Sequence, residues 1–326
     1  IGGLLIAFMI STLFSLNVYI SIVEVLILIY LSCLCLGIYI VFKENFELLI
    51  QVIAITLCLS SFVAFYDTFA EALGIRKIFT HNRSGFVVGG FRTTGQAGVY
   101  CMTFIGVLIA YFNTTLFKTL SKNKKLLISG AIFFGSIFLL LTGKIGGLIG
   151  FGVGVLLFVL LSRKRSFIYY TALLFSLVAV GIFVSKWIVP EVYYRVSNKF
   201  TFYQELFLTS KIRTTKLYEG WSQALIAFND HPLTGTGIGA FQGNYHSHEV
   251  HGGLFKILVE TGIIGFLTYG LFIFVIVKTL LHYREQMSSW RGQFVKILIP
   301  FLIGFFVAWI YTYPLRKREF WILLSV

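Results

Sequence analysis

The chain has 326 residues, of which 57% are hydrophobic and 12% charged, and its 27 lysines and arginines against 13 acids give a formal charge of +14. With a mean hydropathy of +0.87 it cannot be a soluble globular protein. What remains is an all-α, polytopic helical membrane protein, because barrel strands alternate apolar and polar residues and these runs do not.

Apolar runs long enough to cross a hydrocarbon layer of ~30 Å give about ten spans. In chain order these are 1–16, 21–42, 46–66, 96–117, 126–142, 145–161, 167–185, 254–280, 297–313 and one from about 319. The first and last lie at the chain's ends, within apolar sequence, so truncation is expected at both. The whole of 1–326 reads as one multispan domain with a single long outer segment, about 186–253. Glu24 is the one acid plainly inside a span. Cys33, Cys35, Cys58 and Cys101 fall in spans as small apolar residues, with no disulfide framework and no zinc signature.

The connections at 43–45, 118–125, 162–166 and 282–296 share one face, rich in lysine and arginine, which the positive-inside rule makes cytoplasmic. Yet 15 of the 27 basic residues fall on the other side. Either they bind an anion at the outer leaflet or they are solvated or lipid-facing charges. Lys144, between two spans in LTGKIGGLIGFGVG, favours the anion reading because its glycines allow close helix packing.

The long outer segment carries most of the chemistry. RTTKLYEGWSQALIAFNDHP has amphipathic helical spacing and ends at Asp230 or His231, where Pro232 cannot continue it. Arg213 and Lys216 are three apart and share a face, with Gly220 and Trp221 along the same side. Gly235, Gly237, Gly239 and Gly243 follow, in a run that reads as a turn before it reads as a phosphate cradle. Next come His246, His248 and His251. Their spacing permits a metal, with Glu249 or Asp230 joining, but no cysteine and no helix-borne pair supports one, so neither metal nor cofactor is expected. A general base needs only one imidazole held near neutrality. His251 is best placed, at the start of the 254–280 span, where a helix N-terminus disfavours the imidazolium. Glu260, nine residues on, should face away from it, as a tie to another helix.

The run WSQALIAFNDHPLTGTGIGAF followed by HGGLFKILVETGIIGF resembles the C-terminal signature of the O-antigen ligase and polymerase family. GFRTTGQAGVY at 90–100, with Arg92 inside it and Arg83 ahead of it, is similar to that family's upstream glycine-rich segment. The resemblance covers roughly 80–150 and 205–280. It implies a GT-C-like, metal-independent glycosyltransferase of the bacterial inner membrane, with its active site on the periplasmic face. Its implied donor is a glycan on undecaprenyl diphosphate, and its acceptor another glycan or the lipid A core. By carry-over, His251 activates the acceptor hydroxyl, and Arg213, Lys144, Arg83 and Lys216 hold the diphosphate, with Trp221, Arg92 and Glu260 in support. Three departures stand out: Lys144 replaces the commoner arginine, Gly252 replaces the asparagine after the histidine, and Arg213 lies further from Trp221 than usual.

A polymerase of surface polysaccharide is the leading expectation and a ligase to lipid A core the alternative. Membrane lipids and a chain-length regulator are the expected partners, and nucleic acid is not one. A flippase for lipid-linked oligosaccharide would also need outward cations. It would carry charges in mid-span and paired halves, however, and no internal repeat is visible. A non-catalytic scaffold is the third class, in which removal of the His251 imidazole would leave glycan output intact.

Overall fold

In the computed structural model the described residues are 1–72, 74–76, 78, 89–91, 93–162, a few between 186 and 198, 216–247, 249–250, 252–285, 289–309 and 313–326. Among them there is no strand, only an isolated bridge between Gln242 and His246. The helices are α1 (Gly2–Leu13), α2 (Val18–Phe42), α3 (Phe46–Ala72), α4 (Thr94–Phe112), α5 (Thr115–Thr119), α6 (Lys122–Leu141), α7 (Ile145–Ser162), α8 (Lys216–Asp230), α9 (Gly253–Glu285), α10 (Trp290–Trp309) and α11 (Arg318–Ser325). Among the described residues, six helices are long and apolar enough to cross a membrane: α2, α3 over Phe46–Asp67, α4, α6, α9 and α10. Two shorter apolar helices, Gly2–Leu13 and Gly146–Leu161, accompany them. The protein is thus an all-α polytopic membrane protein.

Several boundaries differ from those read off hydropathy, for local reasons. The expected span 96–117 is cut at Asn113, because the Thr114 hydroxyl accepts from the Phe117 amide and starts the separate short helix α5. The run 1–16 is helical only to Leu13, since the Leu16 amide donates instead to the Thr236 carbonyl at 2.9 Å. The span expected from 297 begins seven residues earlier, at Trp290, whereas the last helix starts at Arg318, within a residue of the expected 319. The expected span 167–185 lies outside the described residues.

The chain folds into two compact units. One is drawn from Phe42–Phe202 and Tyr283–Ala308. Its centre is α4, apolar on every side and buried along most of its length. Glycines set how closely its neighbours pack. A Cβ at Gly147 would stand 3.1 Å from the Gly98 carbonyl of α4, and one at Gly150 would stand 2.6 Å from the Gly304 carbonyl of α10. Gly147, Gly150 and Gly154 therefore form a small-residue seam, as membrane helices use where no hydrophobic force drives them together. At one end, Phe46 packs against Tyr111, Trp290 and Phe294 with ring centroids 6.0, 4.9 and 5.4 Å away. Beside it Lys124 pairs with Glu47 at 2.6 Å.

The other unit comprises Ile1–Val41, Tyr203–His282 and Trp309–Val326. Here α2 and α9 leave most of their apolar surface uncovered, with 28% and 11% of their most apolar stretches buried. Such faces require lipid. The buried side of α8, Ala224 and Ala227, packs with Phe241, Val250 and Val259 into a small core, with Phe228, Tyr245 and Phe255 around it.

Candidate functional site

The glycine run after α8 is built into α9. That helix is broken at Gly262, whose backbone is left-handed (φ 62°). A break inside a span exposes amides and carbonyls that hydrocarbon cannot satisfy. The loop supplies their partners. The Thr236 amide donates to the Val259 carbonyl at 3.0 Å and Gly237 to that of Glu260 at 2.9 Å, while Ile263 donates to the Pro232 carbonyl at 2.9 Å. Ser11 of α1 adds a hydroxyl bond to the Glu260 carbonyl at 2.8 Å. The approach is so close that a Cβ on Gly235 would collide with the Glu260 backbone, and one on Gly262 with the Leu233 carbonyl. Gly235 and Gly237 of the run thus allow close packing, whereas Gly243 stands in open space.

Beside this break lies a cluster of charges that sequence reasoning did not assemble. Lys256, one turn before Glu260 on α9, is only 2% exposed. Its Nζ pairs with Glu249 at 2.8 Å and lies 3.6 Å from Glu260. It also stands 5.0 Å from the centre of the Tyr313 ring. Arg316, in the 3-10 turn Pro314–Arg316, donates to the other Glu249 oxygen at 3.3 Å and makes a short contact with Glu24 of α2. Burial raises the Glu249 carboxyl, but the ammonium of Lys256 and the Arg316 guanidinium outweigh it and leave the group below its ordinary range. Burial drives the Tyr313 phenol well above its ordinary value, helped by Glu260 and Glu24. The same effect lowers Lys317. An intramembrane acid at Glu24 was the available signal, since such a charge needs a partner. Its partner, Arg316, is 292 positions away, a distance no local pattern spans.

Each sequence-predicted residue has its own outcome. Glu260 is buried, and its carboxylate faces Lys256 on its own helix and the Gly239 amide, so the tie to another helix runs through its main-chain carbonyl. Trp221 is on α8 and 40% exposed. Lys216 opens α8; its side chain lies outside what is described. His246 is half-buried, its ring edge 4.0 Å from where a Cβ on Gly220 would stand. Nearby, Tyr245 donates to Asp230 at 2.8 Å. Burial and that bond push its phenol up to about 12. His251, His248, Arg213, Arg83 and Arg92 lie outside the described residues.

Lys144 belongs to the unit built on α4. It closes the turn between α6 and α7, and its carbonyl accepts the first α7 bond, from Leu148 at 3.1 Å. Its stem crosses Gly98, where a Cβ would stand 2.9 Å away, and its ammonium reaches Gly95 in the first turn of α4, 3.8 Å from a Cβ there. Lys144 therefore sits where α7 begins and reaches the first turn of α4. Helix N-termini carry positive partial charge and unpaired amides, and with an ammonium beside them the arrangement suits an anion.

Together these features define a multispan helical membrane protein with a broken span, a buried ion network at the break, and a cation beside helix N-termini. No curated protein matches the chain. Residues 130–270 match the family model described as O-antigen ligase. That segment is thus similar to the O-antigen ligase family, in agreement with the motifs it contains.

Proposed function

We propose that the chain transfers a glycan from undecaprenyl diphosphate to an acceptor sugar hydroxyl at the periplasmic face of the bacterial inner membrane, without a metal ion, and acts as a surface-polysaccharide polymerase. The family match supports this most directly: its 130–270 segment contains Lys144, Arg213, Lys216, Trp221, His251 and Glu260. In this reading His251 takes the proton of the acceptor hydroxyl as its oxygen attacks the anomeric carbon. The carrier diphosphate departs with the electron pair of the broken bond. Lys144, Arg213, Lys216 and Arg83 stabilise the charge that develops on it. The place of the Lys144 ammonium, beside the first turn of α4, suits a phosphate oxygen.

A ligase reading, with lipid A core as acceptor, is favoured by the description of the matched family. The deciding experiment supplies purified protein with a lipid-linked repeat unit alone. A ladder of longer products supports the polymerase, and product formed only after addition of lipid A core supports the ligase. Absence of product in both, together with normal polysaccharide in cells carrying His251→Ala, overturns the enzyme reading.

A further inference from the structure

The ion network has no part in the chemistry just described, yet it brackets the proposed base. His251 lies two residues after Glu249 and five before Lys256. We infer that Arg316 and Glu24 are positioning residues for His251, acting through Glu249 and Lys256 to fix both ends of the stretch that carries it. The inference rests on His251 being the base.

Seven residues of extended chain could reach roughly 23–25 Å, whereas the Lys256 and Glu249 side chains meet at 2.8 Å. Two residues seven positions apart are thereby tied side chain to side chain. One end is fixed by burial: Lys256 is 2% exposed and begins the helical ladder with a bond from its amide to the Gly252 carbonyl at 2.8 Å. The other end would be a poor anchor alone, because the Glu249 side chain is 48% exposed and a half-solvated ion pair contributes little. The second cation changes this. Glu249 gives one oxygen to Lys256 and the other to Arg316, so its carboxylate is held from two directions.

Arg316 is itself held. It lies in a 3-10 turn whose Leu315 is fully buried and whose Leu315 carbonyl accepts from the Trp321 indole at 2.8 Å, and its guanidinium also meets Glu24. Glu24 comes from α2 and Arg316 from beyond α10, both outside the matched 130–270 segment. The chain thus uses its first and last parts to steady the segment in between. Loss of that hold should lower turnover rather than donor affinity, because displacement of a base by about 1 Å can cost on the order of a hundredfold in rate.

The test uses the full chain in membranes, with an undecaprenyl-diphosphate-linked repeat unit as donor. It has a second readout, the rate at which diethyl pyrocarbonate modifies each histidine, followed by peptide mass spectrometry. Arg316→Met and Glu24→Gln are expected to lower kcat by about tenfold or more with KM nearly unchanged. Both should change the His251 modification rate while leaving that of His231 as in the parent. Arg316→Lys should restore part of kcat, and Arg316→Met combined with Glu24→Gln should be no worse than Arg316→Met alone. If Arg316→Met does not fold, the isosteric Glu249→Gln decides by the same readouts. Folded variants with parental kcat, or with unchanged His251 modification, overturn the positioning role. An active His251→Ala overturns the base assignment itself, whereas an inactive His251→Ala beside unaffected Arg316 and Glu24 variants overturns the positioning role alone.

Discussion

Replacement of Lys256 by methionine isolates the worth of the buried charge, because methionine fills much of the same stem and removes only the ammonium. Glu260, with a side chain 3% exposed, would lose the Lys256 ammonium 3.6 Å away. Stripping one partner from a buried pair costs about 3–5 kcal/mol. Glu249 adds at most about 1 kcal/mol, since it is half exposed and keeps Arg316. Glu260→Gln alone leaves Lys256 paired with Glu249 and should cost about 1–3 kcal/mol. The double variant removes both charges, and its glutamine oxygen can still accept from Gly239, so about 1–2 kcal/mol is expected. The two changes should therefore be non-additive by about 2 kcal/mol at the least. The assay is the thermal midpoint of the full chain in detergent at neutral pH, where Lys256→Met should lie about 6–10 °C below the parent. Adding Glu260→Gln should bring the midpoint back up. If the two costs simply add, the pair is not energetically coupled and the reasoning fails.

Gly262→Ala separates a broken helix from a continuous one by sign. In a continuous helix it would stabilise by about 1 kcal/mol. At φ 62° with the Leu233 carbonyl against it, it should instead cost about 1–3 kcal/mol or more, read as a lower melting midpoint. In the other unit, Gly150→Val places atoms against the Gly304 carbonyl at 2.6 Å and the Met102 sulfur at 2.7 Å. Such overpacking should cost about 1–3 kcal/mol, and a midpoint equal to the parent's would refute the close seam. Glu249 also makes stability depend on acid. Its folded carboxyl lies below the ordinary range, so its contribution is complete above about pH 4.3 and is lost as pH falls through the lowered folded value. Glu249→Gln should lie lower at neutral pH and lose less on acidification between pH 5 and 3, and parallel curves for the two proteins would contradict this.

Much of the fold was legible because a bilayer imposes one long period of apolarity, and α2, α3, α6 and α9 follow it closely. Helix α8 was legible too, since Pro232 fixes its end and the alanines at 224 and 227 recur on one face. The break at Gly262 was not, because the sequence around it stays apolar and only the partners of its backbone groups mark the interruption. The ion network was invisible for a different reason. Glu24 and Arg316 lie far in the chain from Glu249 and Lys256, and which charges meet is decided by packing, not by spacing. The division into two units is equally non-local, since each is assembled from separated stretches.

The two runs that carry the family resemblance, HPLTGTGIGAF and ETGIIGF, have a physical reason to occur together. The first provides amides at Thr236 and Gly237 and the second the carbonyls of Val259 and Glu260 that accept them. In the reverse direction, Pro232 offers a carbonyl to Ile263. Neither run could keep its backbone in an apolar setting without the other, since each unsatisfied group there costs several kcal/mol. A larger residue at Gly235 or Gly262 would separate them. They are best understood as two halves of one joint, in which a span is interrupted and the loop after α8 fills the gap. The joint seats α8 against the start of α9 through Ala224, Ala227 and Val259. The loop after α8 is anchored by these bonds to a helix long and apolar enough to span a membrane.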